Sequence, residues 1–434
     1  MDKIFEYIRV LQKKGAIHIL VGSFIQKFVA FFGSIFVVRT LSKQEYGLLS
    51  YVENIYSYAL IFAGLGLSNA VLRYIVLARE NEKRAYYNYI IKHSVIRDIV
   101  IAMAICVINV FVKYPDDFSE AKLWVPVIAF LTIFQDIVNN GLYAIRAVFK
   151  NKLFAYLAVG SSVLLIVGRI IGACVYNVGG VVVSRVVLNA FIGVAIIPIC
   201  IKMFSKSTYQ LDAAKKKEIN AYSIQYMITN GLWAIFMLND LQMLSMFCAD
   251  SAIVAEYKVA YLLPANISIF ATAIGKFTCP YFTKNETNNL WIRDNYKRVY
   301  IVTAMVVGAV ALVLAVLAKL LILIIAGENY ISAVPLMRML LIPAFINSGL
   351  RFATADILSS MGQIKFNMIF SIIGICFQVA LDAFLIPRLN VYGVVIANSV
   401  AYLIMALGLF IVFMRKYYMK RVDSMRKYNF SESQ

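Results

Sequence analysis

Histidine is nearly missing from this chain, with only His18 and His93 in 434 residues. The two lie far apart at the edges of apolar runs, which suits interfacial residues better than metal ligands. Six cysteines (Cys106, Cys174, Cys200, Cys248, Cys279, Cys376) are scattered through or beside apolar runs, and none forms a CxxC pair. Neither a metal site nor a disulfide framework is indicated. There is no GxxxxGK[ST] loop and no HExxH pair, so the common signatures of nucleotide and metal hydrolysis are absent. Charge is scarce too, at 15% of residues, against about 25% in soluble domains. The longest polar gaps run roughly twenty residues, too short for a folded extramembrane domain. A membrane polymerase or glycosyltransferase commonly carries such a domain or a large loop, so an enzyme is not indicated. Any chemistry must happen within or beside the apolar runs.

Apolar side chains are abundant, at 62% of the residues, and mean hydropathy is +0.77. That composition implies an all-α integral membrane protein, since a span needs ~20 mostly apolar residues. About twelve stretches qualify: Ala16–Val38, Leu48–Leu72, Ile90–Val112, Leu123–Ile145, Leu153–Tyr176, Gly179–Met203, Ala221–Cys248, Ile253–Phe277, Val299–Ile325, Ala333–Leu358, Phe366–Ile386 and Val391–Met414. If the N-terminus is cytoplasmic, about 29 of the 42 Lys and Arg face the cytoplasm and about 7 face outward. The net charge of +19 is then mostly topology and attraction to anionic lipid, not nucleic-acid binding. "MDKIFEYIRVLQKKG" reads as an amphipathic basic helix on the cytoplasmic surface and not as a cleavable signal.

The chain also repeats itself. An offset of 211 aligns Glu45 with Glu256, Tyr46 with Tyr257, Gly64 with Gly275 and Arg73 with Lys284. An offset of 213 aligns Lys152 with Lys365, Gly180 and Val181 with Gly393 and Val394, and Arg169 with Asp382. Six spans per half is an even number, so both halves enter the membrane in the same sense, a parallel repeat. The expected organisation is an N-terminal lobe over residues 1–203, a cytoplasmic linker over 204–220, a C-terminal lobe over 221–414 and a basic cytoplasmic tail over 415–434. The two six-helix lobes are related by a pseudo-two-fold axis along the membrane normal, with a central cleft where alternating-access carriers hold substrate.

Ionisable residues inside spans usually face the bundle interior or a wet cavity. Here they include Lys27, Glu53, Asp136, Arg169, Arg185, Asp240, Lys276, Arg351, Asp356 and Asp382. Arg169 with Asp382, and Lys27 with Asp240, are the expected pairs. The surplus of Lys27, Arg169, Arg185, Lys276 and Arg351 suits an anionic substrate, because Arg binds phosphate oxygens bidentately and Lys acts as a mobile point charge. Gln26 shares the polar face of Lys27, and Trp233 shares a face with Asp240; an aromatic ring beside polar groups suits a sugar.

"VVRTLSKQEYGLLSYV" (Val37–Val52) and "GLGLSNAVLRY" (Gly64–Tyr74) resemble the first two helices of the polysaccharide-repeat flippases, the Wzx type. These belong to the multidrug/oligosaccharidyl-lipid/polysaccharide (MOP) exporter superfamily. The likeness continues through "GENYISAVPLMRML" (Gly327–Leu340) and "LIPRLNVYGVVIANSV" (Leu385–Val400), and it covers essentially the whole chain. It implies movement of an undecaprenyl-diphosphate-linked oligosaccharide from the cytoplasmic to the outer leaflet of the bacterial inner membrane. It also implies basic cavity residues on the first, second and eighth helices, where Lys27, Arg73 and Lys276 fall. The implied partners are the lipid-linked glycan, membrane lipids, and a polysaccharide polymerase with its chain-length machinery. No cofactor is indicated, and the coupling ion, H+ or Na+, is left open. A multidrug or organic-cation exporter of the same superfamily is the alternative, and it would be expected to show a dominant acidic cavity.

Overall fold

A computed structural model describes residues 16–206 and 209–419, apart from the side chains of residues 16–21, 23, 24, 229, 276, 280 and 419. The proposed surface helix at the N-terminus, most of the tail and the side chain of Lys276 lie outside the described residues. Within them the chain is helical and contains no strand, as a polar backbone in hydrocarbon requires. Ten helical segments are long and apolar enough to cross a membrane. One of these, α7 (Asn151–Met203), has 53 residues, about 80 Å at 1.5 Å per residue and far more than one crossing needs. It breaks at Tyr176 and Asn177, where the backbone leaves helical geometry, so it supplies two spans. The apolar α1 (Ala16–Thr40) adds another. The count therefore agrees with the twelve read from hydropathy.

The described chain divides into two compact units, Met1–Leu238 and Asn239–Gln434. The division falls inside α8 (Ala213–Cys248), downstream of the polar linker that the sequence suggested. The reason is packing. Tyr222, early in α8, meets Tyr74 edge-on with ring centroids 5.8 Å apart, while Asn239 and Asp240 near its end bond to residues of the second unit.

The first unit holds α1, α2 (Lys43–Phe62), α3 (Leu67–Leu77), α4 (Lys83–Phe111), α5 (Ala121–Ala129), α6 (Leu131–Ala147), α7 and most of α8. Its core is built on Val71, Ile75, Tyr87, Ile145, Cys200 and Ile219. The start of α2 is set locally by a capping box: Ser42 Oγ accepts from Glu45 N at 3.2 Å, and Glu45 Oε2 accepts from Ser42 N at 2.8 Å. The second span is broken between α2 and α3. Gly64, Leu65 and Gly66 have φ of 54°, 49° and 80°, a left-handed run that two glycines make tolerable.

The second unit holds the end of α8, then α9 (Ser251–Tyr261), α10 (Ser268–Lys284), α11 (Asn289–Ala326), α12 (Ala333–Phe345), α13 (Phe352–Ser360), α14 (Ile364–Leu389) and α15 (Val391–Met414). Phe282, Tyr296, Leu358 and Phe413 form part of its core. Along α11 the side chains of Leu312, Val316, Leu320 and Ile324 recur every four residues and are all exposed. A stripe of that kind is costly in water and natural against acyl chains.

The repeat reappears as a side-chain arrangement inside each unit. Gly64, at the break before α3, lies beside the Asp136 carboxylate of α6. Gly275 of α10, its partner at offset 211, lies against the carboxylate of Asp356 on α13.

Candidate functional site

Three charged side chains meet within the spans of the first unit. Glu53 lies ten residues into α2, while Arg169 and Arg185 flank the break in α7. Arg169 Nη2 and Arg185 Nη1 both donate to Glu53 Oε1, at 2.8 and 2.7 Å. The break is what brings the arginines together: seven residues before Tyr176 and eight after Asn177, the chain passes the same depth twice. At the hairpin tip Gly172 and Gly180 stand backbone to backbone, with no room for a Cβ on either. The Arg185 guanidinium lies over the Tyr56 ring, 5.2 Å from its centroid. Arg169 Nε is buried and donates to nothing among the described residues. Two cations on one carboxylate leave a formal charge of +1. The side chains are only 19–25% exposed, so neither water nor counter-ions screen that charge fully. Paired guanidinium groups present a fork of donors fitted to a phosphate or carboxylate.

A cavity of about 330 Å3 opens in the same unit. Its lining includes Asn69, Asn139 and Asn230, the hydroxyl residues Ser57, Ser68, Tyr143 and Tyr226, and a single charged residue, Asp136. Amides, hydroxyls and aromatic rings in a mostly neutral wall suit the hydroxyls and apolar faces of a sugar.

In the second unit, Asp240 at the end of α8 is buried and fully engaged. Gln378 Nε2 donates to Oδ1 at 2.6 Å; Asn398 Nδ2 and Tyr257 Oη donate to Oδ2 at 2.6 and 2.8 Å. Asp382, one turn beyond Gln378 on α14, accepts from Asn239 Nδ2 at 3.1 Å through Oδ2, and its Oδ1 accepts nothing among the described residues. Arg351 is buried in a wide turn between α12 and α13, with Nε donating to Asn347 Oδ1 at 2.8 Å.

Two expected pairings are corrected by these contacts. Arg169 is held by Glu53 of its own unit, while Asp382 is met by Asn239. Repeat equivalence gave the two residues corresponding positions, but each is nearer to polar groups of its own unit. Asp240 is likewise held by three neutral donors of its own unit, and Lys27 is exposed. Gln26 turns out to clamp helices, donating to Ala158 O at 2.9 Å and Ser162 Oγ at 3.1 Å on α7. Arg73 is exposed near the end of α3 with its guanidinium over Tyr222, 5.1 Å from the ring centroid. Trp233 is half-buried and stacks on Phe236 at 5.5 Å. The structure thus gathers Arg169 with Arg185 and places Asp240 close to Asp382. Sequence reasoning missed the role of Glu53, although it counted the residue as a buried charge. It passed over Asp98 altogether, although an acid inside the apolar run Ile90–Val112 is itself a signal.

The whole fold is that of solved membrane transporters. The inward-closed lipid II flippase MurJ superposes with a TM-score of 0.72 at 15% identity, covering 91% of this chain and 87% of its own. An inward-facing multidrug-resistance MATE transporter of the MOP superfamily gives 0.62 at 16% identity, covering 89% and 94%. A MOP-superfamily transporter from Pyrococcus furiosus, described as having a binding pocket of reversed polarity, gives 0.61 at 15%, covering 93% and 95%. An uncharacterised membrane protein of Methanocaldococcus jannaschii is 22% identical over 427 residues, 90% of this chain and 82% of that protein. A sequence model described as polysaccharide biosynthesis protein matches residues 12–286, well over half of the chain, and so the protein belongs to the polysaccharide biosynthesis protein family.

Proposed function

We propose that the protein is a flippase that carries an undecaprenyl-diphosphate-linked oligosaccharide from the cytoplasmic to the outer leaflet of a bacterial cytoplasmic membrane, with both chain termini inside. The observation that carries this reading is the pair of guanidinium groups on Glu53, a surplus cation inside apolar helices. A diphosphate is the anion that such a fork accommodates, and the amide- and hydroxyl-lined cavity of the same unit suits the sugar. Lys27 and Arg73 supply further positive charge in the same unit. The direction is favourable: an inside-negative potential assists an outward-moving anion by ~2.3 kcal/mol per charge per 100 mV. Basic loops on one side of the spans set the proposed orientation.

The test is complementation of surface-glycan display in a flippase-deficient strain, normalised to membrane abundance. Wild type should restore display, and Arg169→Gln combined with Arg185→Gln should abolish it while the protein still inserts. Failure of the wild type to restore display in any host glycan background, together with acquired efflux of organic cations, would overturn the reading in favour of a multidrug exporter.

A further inference from the structure

Where α11 begins, an open cavity of about 550 Å3 is lined by Arg293, Asp294, Lys297, Arg298, Ile301 and Tyr418. All but the last lie on α11, and Tyr418 belongs to the wide helical turn Arg415–Met419 that continues α15. Tyr418 holds the first cation in place. Its hydroxyl donates to Arg293 O at 3.3 Å, and its ring lies under the Arg293 guanidinium, 5.2 Å from the centroid. Asp294 Oδ1 comes within 3.6 Å of Arg293 Nε, at a surface where such a pair is weak. Lys297 and Arg298, one turn further along α11, are exposed and pair with no carboxylate among the described residues. Three cations and one carboxylate leave a formal charge of +2 on the cavity.

Two features set this cavity at the edge of the lipid. Trp291, Tyr300 and Tyr418 are half-buried and pack against the core of the second unit at this end of α11; such rings mark the headgroup level of a membrane protein. The face that carries Arg298 then runs on through Ile301, Met305, Ala309, Leu312 and Val316, all exposed, at helical spacings of three and four. From Arg298 to Ala309 the helix rises about 16 Å, half of the ~30 Å hydrocarbon core. A cationic mouth therefore opens onto an apolar strip one leaflet deep. The chain's own tail is an ill-suited occupant because it is net basic, with Lys420, Arg421, Arg426 and Lys427 against Asp423 and Glu432.

We propose that this cavity holds the phosphodiester headgroup of an anionic phospholipid from the adjoining leaflet, with one acyl chain laid along Ile301, Met305 and Ala309. Lys297 and Arg298 meet the phosphate oxygens, and Arg293, held by Tyr418, closes the cavity on the side of the tail. Charge selects the lipid, since a zwitterionic headgroup would bring its own cation into a cleft already at +2. The bound lipid bridges the start of α11 to the turn after α15 and so stabilises the second unit. In the orientation proposed above the leaflet is the cytoplasmic one, where basic protein surface meets anionic lipid. The binding itself does not depend on what cargo the protein carries.

The test uses full-length protein in detergent micelles, titrated with phosphatidylglycerol or with phosphatidylcholine of the same chains. Native mass spectrometry counts retained lipid, and the unfolding temperature is followed in parallel. Wild type should retain phosphatidylglycerol in preference to phosphatidylcholine and gain Tm as it binds. A basic residue at an anionic surface contributes about fivefold in affinity. Lys297→Gln/Arg298→Gln should therefore weaken the first-bound phosphatidylglycerol about thirtyfold and lose the Tm gain. Lys150→Gln/Lys152→Gln, an equal loss of charge in the other unit, should do neither. Should the first double variant fail to fold, Lys297→Gln alone should still weaken binding about fivefold. Excess inorganic phosphate should leave the lipid in place, and displacement by it would assign the site to a free anion and overturn the proposal. Preferential retention of undecaprenyl phosphate over phosphatidylglycerol would overturn it in favour of a polyprenyl carrier. It is equally overturned if phosphatidylcholine binds as tightly, or if the two double variants weaken binding alike, because net charge and no particular site would then hold the lipid. No glycan enters these readouts, so a negative complementation result leaves them unaffected.

Discussion

Glu53→Gln should destabilise the first unit more than the loss of either arginine that Glu53 holds. The carboxylate oxygen receives Arg169 at 2.8 Å and Arg185 at 2.7 Å. A hydrogen bond to a charged group contributes about 1.5–3 kcal/mol net, and exposure of roughly a quarter of each side chain favours the lower end. The glutamine retains one neutral carbonyl acceptor, worth about 1 kcal/mol, but no longer offsets the repulsion between two guanidinium groups. The expected loss is about 2–3 kcal/mol. Arg185→Gln removes one bond but also relieves that repulsion, so about 1–2 kcal/mol is expected. The double variant Glu53→Gln/Arg185→Gln should then be less destabilised than the sum of the singles by at least about 1 kcal/mol, within the range for directly contacting residues. Reversible unfolding of the four purified proteins in detergent, scored as a double-mutant cycle, measures this. Additivity within about 0.5 kcal/mol, the behaviour of distant sites, would refute the shared-carboxylate account.

Gly64→Ala should cost more than about 1 kcal/mol, because the position has φ +54° and the new Cβ meets the Ser94 hydroxyl; the Tm of the purified variant reports it. Asn398→Ala strips Asp240 of a 2.6 Å bond inside a buried site, an expected loss of about 1–3 kcal/mol by the same measurement. A cysteine at Gln210, in the basic linker, should react with a membrane-impermeant maleimide only after cells are opened, and reaction in intact cells would reverse the orientation. Lys27→Glu should reduce glycan display more than Lys27→Ala, with Lys27→Arg retaining most of it, and full display from Lys27→Glu would place the ammonium off the substrate route.

Residues whose environment is local were legible in advance. The capping box at Ser42 and Glu45, the spans and their spacing follow from neighbours in sequence. Arg169 and Arg185 were singled out because a guanidinium inside an apolar run is conspicuous wherever its partner lies. Their partner was misassigned, because repeat alignment says which positions correspond and nothing about which side chains touch. Glu53 lies 116 and 132 positions from its two arginines, a separation at which no pattern along the chain carries information. Asp98 was missed for the opposite reason: it hides in a strongly apolar run whose hydropathy overwhelms one acid.

Composition and periodicity by themselves determined that this chain lives in a membrane, crosses it about twelve times and carries an internal repeat. Those properties are sums over segments: the transfer of apolar side chains into lipid and the internal hydrogen bonding of a helix depend only on what each twenty-residue window contains. Only the tertiary structure decided that one carboxylate serves two arginines and that Asp240 meets three hydrogen-bond donors of its own unit. Such facts rest on ångström distances between side chains far apart in sequence. A hydrogen bond is lost within a fraction of an ångström beyond its contact distance, and helix packing alone sets which groups come that close.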